Sequence, residues 1–102
     1  MSLIKKSLKT RPVCKVTFSV PPEASLNAST VMLVGDFNEW SQISHPLKCK
    51  NDGVFSITVD LPTDQRFQFR YLVDGARWLN DEAADEYIAT PFGNDTNSIV
   101  RT

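Results

Sequence analysis

A chain of 102 residues with 11 basic and 12 acidic side chains and a net charge of −1 is sized for one domain that buries a core without needing a disulfide or a metal. No apolar run approaches the roughly 20 residues of a membrane span, and no long apolar segment follows Lys5 and Lys6 as a secretory signal requires. Beyond residue 12 the chain is acidic without a basic stripe, so membrane placement and nucleic-acid binding by the folded part are excluded and the expected location is cytoplasmic.

Residues 1–12 carry Lys5, Lys6, Lys9 and Arg11 and end at Pro12, which reads as a basic flexible tail ahead of a folded domain over 13–102. From Val13 the pattern turns to period two. Cys14, Val16, Phe18 and Val20 alternate with Lys15, Thr17 and Ser19, as in a strand with one buried face, and Pro21-Pro22 stops it. Thr30 to Val34 is apolar throughout its core and β-branched, which predicts a central strand buried on both sides. That strand runs into a polar corner ending at Trp40.

A short strand is expected over Leu47 to Lys50, then a tight hairpin at Asn51-Asp52-Gly53. Phe55, Ile57 and Val59 form the inward side of the return strand, closed by Leu61-Pro62. In the next strand Phe67, Phe69, Tyr71 and Val73 share one face, and Gln68, Arg70 and Leu72 the other. Asp74-Gly75 signals a second hairpin whose partner strand carries Arg77 to Leu79. Asp81 to Tyr87 reads as a loop, and Asn97 to Val100 as the last strand. Short strands at this spacing predict an all-β fold, an immunoglobulin-like β-sandwich of about seven strands.

Catalytic chemistry finds little support. His45 is the only histidine and sits beside Pro46 in a polar loop, where an exposed, idle side chain is expected. One His and two separated cysteines cannot supply a four-ligand metal site, and Cys14 and Cys49 are expected as reduced thiols. The acids Asp81, Glu82, Asp85 and Glu86 read as a solvated face rather than as paired carboxyls across a cleft. No enzyme activity and no cofactor are expected.

The tryptophans are more informative. An indole matches the C–H face of a sugar ring, and amide or guanidinium groups suit the hydroxyls around it. Trp40 and Trp78, with Arg70 and Asn97, fit that description. The alternative is that one Trp plugs an end of the sandwich or anchors a protein partner.

Val34-Gly35-Asp36-Phe37-Asn38-Glu39-Trp40-Ser41, the Asn-Asp-Gly hairpin, Phe69 to Gly75, and Trp78-Leu79-Asn80-Asp81 resemble the family-48 carbohydrate-binding modules. These are early-set, isoamylase N-terminal-like sandwiches, found at the front of glycogen branching and debranching enzymes and in the β-subunit of AMP-activated protein kinase. The likeness covers roughly residues 13 to 101. It implies non-catalytic binding of α-1,4-glucans such as glycogen, starch or maltooligosaccharides, in association with a glycogen-metabolising glycoside hydrolase. It further implies Trp40 and Trp78 as stacking residues, Asn97 as a hydroxyl-binding amide, and Phe92 as the side chain entering a curved glucan. Arg70 stands where the family commonly has Lys, replacing a compact ammonium with a planar fork. Ala76-Arg77 before Trp78 is one residue longer than the kinase-subunit pattern, and a one-residue slip in a strand reverses the face. The runner-up reading is an adaptor sandwich that has lost glucan binding and docks a protein.

Overall fold

In the computed structural model, which describes residues 2–90 and 95–102, the elements run β1 (Ser2–Ser7), β2 (Val13–Val20), a single turn α1 (Pro22–Ser25), β3 (Val31–Gly35), a 3-10 turn (Asp36–Asn38), β4 (Lys48–Cys49), β5 (Phe55–Pro62), β6 (Arg66–Val73), β7 (Arg77–Leu79), β8 (Glu86–Ala89) and β9 (Thr96–Arg101). Two antiparallel sheets form the sandwich. One has the order β1-β2-β5-β4, and the other β3-β6-β9-β8 with β7 paired to the far half of β6. No helix among the described residues is long and apolar enough to cross a membrane.

Period-two burial builds the core. Cys14, Val16, Phe18 and Val20 from β2 face Phe67, Phe69, Tyr71 and Val73 from β6, and all are buried. The rings pack edge to face, with Phe18 to Phe69 at 5.1 Å and Phe69 to Tyr71 at 5.7 Å between centroids, an arrangement that suits the ring quadrupoles. Both cysteines are free thiols, Cys14 buried and Cys49 exposed.

Four sequence expectations change. Ser2–Ser7, read as part of a flexible tail, pairs along its own full length with β2, from Ser2↔Ser19 to Ser7↔Cys14. Backbone hydrogen bonds hold this edge strand, and Leu3, opposite Phe18, packs on the core. The segment Glu86–Ala89, expected as the end of a loop and its continuation, is a strand on β9. With these two the strand count rises from about seven to nine among the described residues.

Third, β3 is not central. It pairs with β6 on one side, while on the other it meets the His45–Leu47 segment through one bridge, Met32↔Pro46, and two hydrogen bonds, Leu33 N–H to His45 O and Leu47 N–H to Val31 O. Its two-sided burial has another origin. Val34 lies opposite Arg70 on the outer face of the sheet and is nevertheless fully buried, as are Leu72 and Ile99 on that face. These three lie outside the main core cluster and make a thin apolar floor. Fourth, His45 is half-buried rather than exposed.

One of the two charges of β1 is used. Lys5, on the inner side of its strand opposite Val16, reaches Asp85 of the other sheet's flank at 2.6 Å. An inward lysine also blunts an edge strand against pairing with another chain. Partial burial pushes the Asp85 carboxyl up, but the Arg101 backbone N–H, the Lys5 hydrogen bond and charge, and the Arg101 charge outweigh it and hold the carboxyl below its ordinary range. A carboxyl with a depressed folded pKa adds stability that is present above its unfolded pKa, about 3.9, and is lost as pH falls through the folded value. Acid titration of thermal stability should therefore show a fall below about pH 4 that is shallower in Lys5→Met. For a pair this close to solvent the difference between the two proteins at pH 7 is about 1 kcal/mol or less.

Candidate functional site

The corner after β3 is built from Gly35-Asp36-Phe37-Asn38-Glu39-Trp40. Gly35 is there because of close approach: a Cβ on it would lie 2.5 Å from the Gln68 carbonyl oxygen and 2.9 Å from the Phe69 Cβ. Phe37 turns inward to Phe18 and Phe67, at 5.9 and 6.0 Å between centroids. Asn38 closes the turn: its Nδ2 donates to Leu33 O at 2.9 Å and its Oδ1 accepts from Gly35 N–H at 3.1 Å. The same Nδ2 lies 3.1 Å from His45 Nδ1, and because an amide nitrogen only donates, His45 Nδ1 is the acceptor. His45, expected to be idle, thus braces the corner.

Glu39 and Trp40 then take left-handed conformations, φ +56° and +58°, which ordinarily disfavour side chains. Trp40 is retained there by its backbone N–H to Gly35 O at 2.9 Å and by its indole Nε1–H to Asp36 Oδ1 at 3.0 Å. The other Asp36 oxygen accepts the Gln68 backbone N–H at 2.8 Å. One carboxyl group therefore ties the half-exposed indole of Trp40 to β6.

The outer face of β6 presents Gln68, Arg70 and Leu72, as period two requires. Trp78 pairs with Leu72, on that same face. The extra residue before Trp78 is taken up in a three-residue connection, Asp74-Gly75-Ala76, with φ +52° at Asp74 and +67° at Gly75, so the face is not reversed. The Arg70 guanidinium lies 5.6 Å from the Trp78 ring centroid, and the indole remains 38% exposed. Such a contact is attractive through the ring quadrupole. The Arg70 Nε is buried and has no hydrogen-bond partner, an unmet donor beneath the surface of this face.

Asn97 enters from β9. Its Nδ2 donates to Gln68 Oε1 at 3.0 Å, and across β8 its pair is Ile88, a part-exposed apolar side chain. Below it, Asn80 Nδ2 donates to Thr96 O and Oγ1 at 2.9 and 3.2 Å, and Asn80 Oδ1 accepts from Ser98 Oγ at 2.9 Å. Trp78, Arg70 and Asn97 thus share one face, and Trp40 is tethered to it at the level of Gln68. Gln68 to Leu72 spans about 13 Å along the strand. Phe92, named from the sequence, lies outside the described residues.

Asp81, Asp85 and Glu86 serve the scaffold. Asp81, expected on a solvated face, is fully buried; its Oδ2 accepts the Tyr71 hydroxyl at 2.6 Å and its Oδ1 the Ala83 N–H at 2.7 Å. Ser98 Oγ accepts the Asp81 N–H at 2.9 Å, and the Tyr87 hydroxyl donates to Asp81 O. Burial, then the Asp81 charge and hydrogen bond, push the Tyr71 hydroxyl well above the ordinary tyrosine range. Glu86 takes Arg66 through two hydrogen bonds of 3.0 Å, with Arg101 at 3.4 Å.

Asp36, Gln68, Asn80 and Ile88 escaped the sequence reading of the site. Alternation already placed Gln68 beside Arg70, and Asp36 and Asn80 stand within the motifs that carry the resemblance; nothing local marked Ile88.

The profile of the family described as the glycogen recognition site of AMP-activated protein kinase matches residues 24–100, from α1 through all but the end of β9. The match includes Trp40, Arg70, Trp78 and Asn97. No curated protein matches the chain.

Proposed function

The chain belongs to the family of the AMP-activated protein kinase glycogen recognition site, and on that premise we propose that the outer face of β6, β7 and β9 binds an α-1,4-glucan such as glycogen, starch or a maltooligosaccharide, without cleaving it. The observation that carries the reading is the exposed Trp78 indole with the Arg70 guanidinium 5.6 Å from its ring centroid on the same face. A glucose ring stacks its C–H face on the indole and offers hydroxyls at the ring edge, where Arg70 donates and Asn97 can accept. Trp40, held by Asp36, supplies a second stacking surface farther along the chain of sugars.

Arg70 in place of lysine suits this arrangement. A planar guanidinium beside Trp78 contacts the ring and still directs N–H groups at hydroxyls, which a single ammonium does less well. An open face exchanges water for hydroxyl contacts at small net gain, so the dissociation constant for a short oligosaccharide falls roughly between micromolar and millimolar. A glycoside hydrolase of glycogen metabolism in the cytoplasm is the partner such a module would bring to the polymer.

Native electrophoresis in gels containing glycogen tests the proposal. The wild-type chain is retarded as glycogen rises. Trp78→Ala and Trp40→Ala each weaken retardation by about tenfold, the effect of one lost aromatic contact with its buried area, in proteins whose thermal unfolding shows them still folded at the temperature of the gel. An unretarded wild type at high glycogen, with tryptophan fluorescence unmoved by maltoheptaose, would favour docking of a protein on the same aromatic face.

A further inference from the structure

Two polar residues hold the groups just assigned to the sugar without themselves being needed to touch it. Asp36 is exposed at the corner, and its two carboxyl oxygens are both used, one by the Trp40 indole N–H at 3.0 Å and the other by the Gln68 backbone N–H at 2.8 Å. Gln68 in turn uses its side-chain oxygen to accept from Asn97 Nδ2 at 3.0 Å. The path Trp40 to Asp36 to Gln68 to Asn97 crosses from the corner after β3, through β6, to β9, joining residues 32 and 29 positions apart in sequence.

We propose that Asp36 and Gln68 are the positioning residues of the glucan face: Asp36 sets the angle of the Trp40 indole, and Gln68 sets the amide orientation of Asn97. This rests on the glucan reading above and adds to it a division of labour. Trp40 sits on a left-handed backbone at the end of a short turn, where an untethered indole would rotate about its χ angles; fixing it beforehand lowers the ordering cost on binding. An asparagine amide can face either way, with opposite hydrogen-bonding character. With one Nδ2 hydrogen engaged by Gln68 Oε1, the two ends of the Asn97 amide are fixed in place, so the site presents the Asn97 carbonyl oxygen as an acceptor at a set position beside a donor from Arg70. A sugar hydroxyl, which donates and accepts at once, is matched by that pair.

The test joins nuclear magnetic resonance of the free protein to calorimetric titration with maltoheptaose. In Asp36→Ala the Trp40 indole N–H resonance moves toward that of a solvated indole and exchanges faster with water, while the Trp78 resonance stays in place; Asp36→Asn, which keeps an acceptor, retains most of the wild-type position. In Gln68→Leu the Asn97 side-chain amide resonances move, and Gln68→Glu, which still accepts from Asn97 Nδ2, restores them. Asp36→Ala and Gln68→Leu each raise the maltoheptaose dissociation constant about threefold to tenfold, the effect of one positioned hydrogen bond. Gln68→Leu adds little to Asn97→Ala, since both act through the same amide. A Trp40 resonance unmoved in Asp36→Ala, or full additivity of Gln68→Leu with Asn97→Ala, overturns the proposal. If the wild type fails to bind maltoheptaose, the glucan reading falls by itself. The indole and amide resonances then still decide whether Asp36 and Gln68 hold these side chains.

Discussion

Asp81→Ala is expected to cost about 3 kcal/mol of folding stability, the largest effect of any single polar substitution considered in this domain. Asp81 is fully buried, and its carboxyl oxygens take the Tyr71 hydroxyl at 2.6 Å and the Ala83 N–H at 2.7 Å. Alanine leaves the hydroxyl of a fully buried tyrosine without an acceptor and opens a space beside it. Each orphaned buried group costs about 1 to 3 kcal/mol. In a domain this size the melting temperature drops by more than about 10 °C. Urea unfolding of a double-mutant cycle checks the cause. Tyr71→Phe removes the hydroxyl, so Asp81→Ala on that background should cost clearly less than on the wild type. Equal costs on both backgrounds would show that the hydroxyl contact is not what makes Asp81 matter.

Gly35→Ala is the second large effect, at about 3 kcal/mol. The φ of Gly35 is −172°, an extended value open to any residue, so dihedral strain is not the cause. A methyl group there would stand 2.5 Å from Gln68 O and 2.9 Å from the Phe69 Cβ. The first is a backbone atom of the paired strand and has no rotamer to escape through. The β3–β6 pair must separate at this end, which also pulls Asp36 from the Gln68 N–H. Glucan affinity should therefore fall together with stability. Gly75→Ala is the control, because its φ is +67° with nothing within 4 Å of the added carbon, leaving only the left-handed backbone cost of about 1 to 2 kcal/mol. A Gly35→Ala protein as stable as wild type in urea would mean that the strands yield easily here.

The elements that sequence patterning located are those in which side-chain alternation and burial coincide. In β2 and β6 every second residue is apolar and buried, so the strand, its face and the sandwich can be read directly. β1 lacked that signal because its inner row is Leu3, Lys5 and Ser7; backbone pairing with β2 and the ion pair to Asp85 hold it instead. In β8 the run of acids before Tyr87 masked a strand of four residues. β3 was apolar for a reason other than a central position, since Val34 of its outer row is part of the apolar floor beneath Arg70.

The residue types of the candidate site were legible in the sequence, but not their arrangement. Indoles, a guanidinium and an amide announce a surface for stacking and hydroxyl binding. Their convergence depends on strand register, which placed Trp78 opposite Leu72 through a three-residue connection. The tether of Trp40 runs through a backbone N–H that carries no sequence signature, and the burial of Asp81 depends on Tyr71 across the fold.

Titration of the isotopically labelled domain with maltoheptaose, followed by the side-chain and backbone N–H resonances together, tests the glucan reading most directly. The indole signals of Trp40 and Trp78 and the side-chain amide of Asn97 should shift along one saturable curve, while the buried strand amides of β2 remain still. Indoles unmoved at tens of millimolar sugar, roughly the weakest affinity worth calling specific, or shifts confined to another surface, would contradict it.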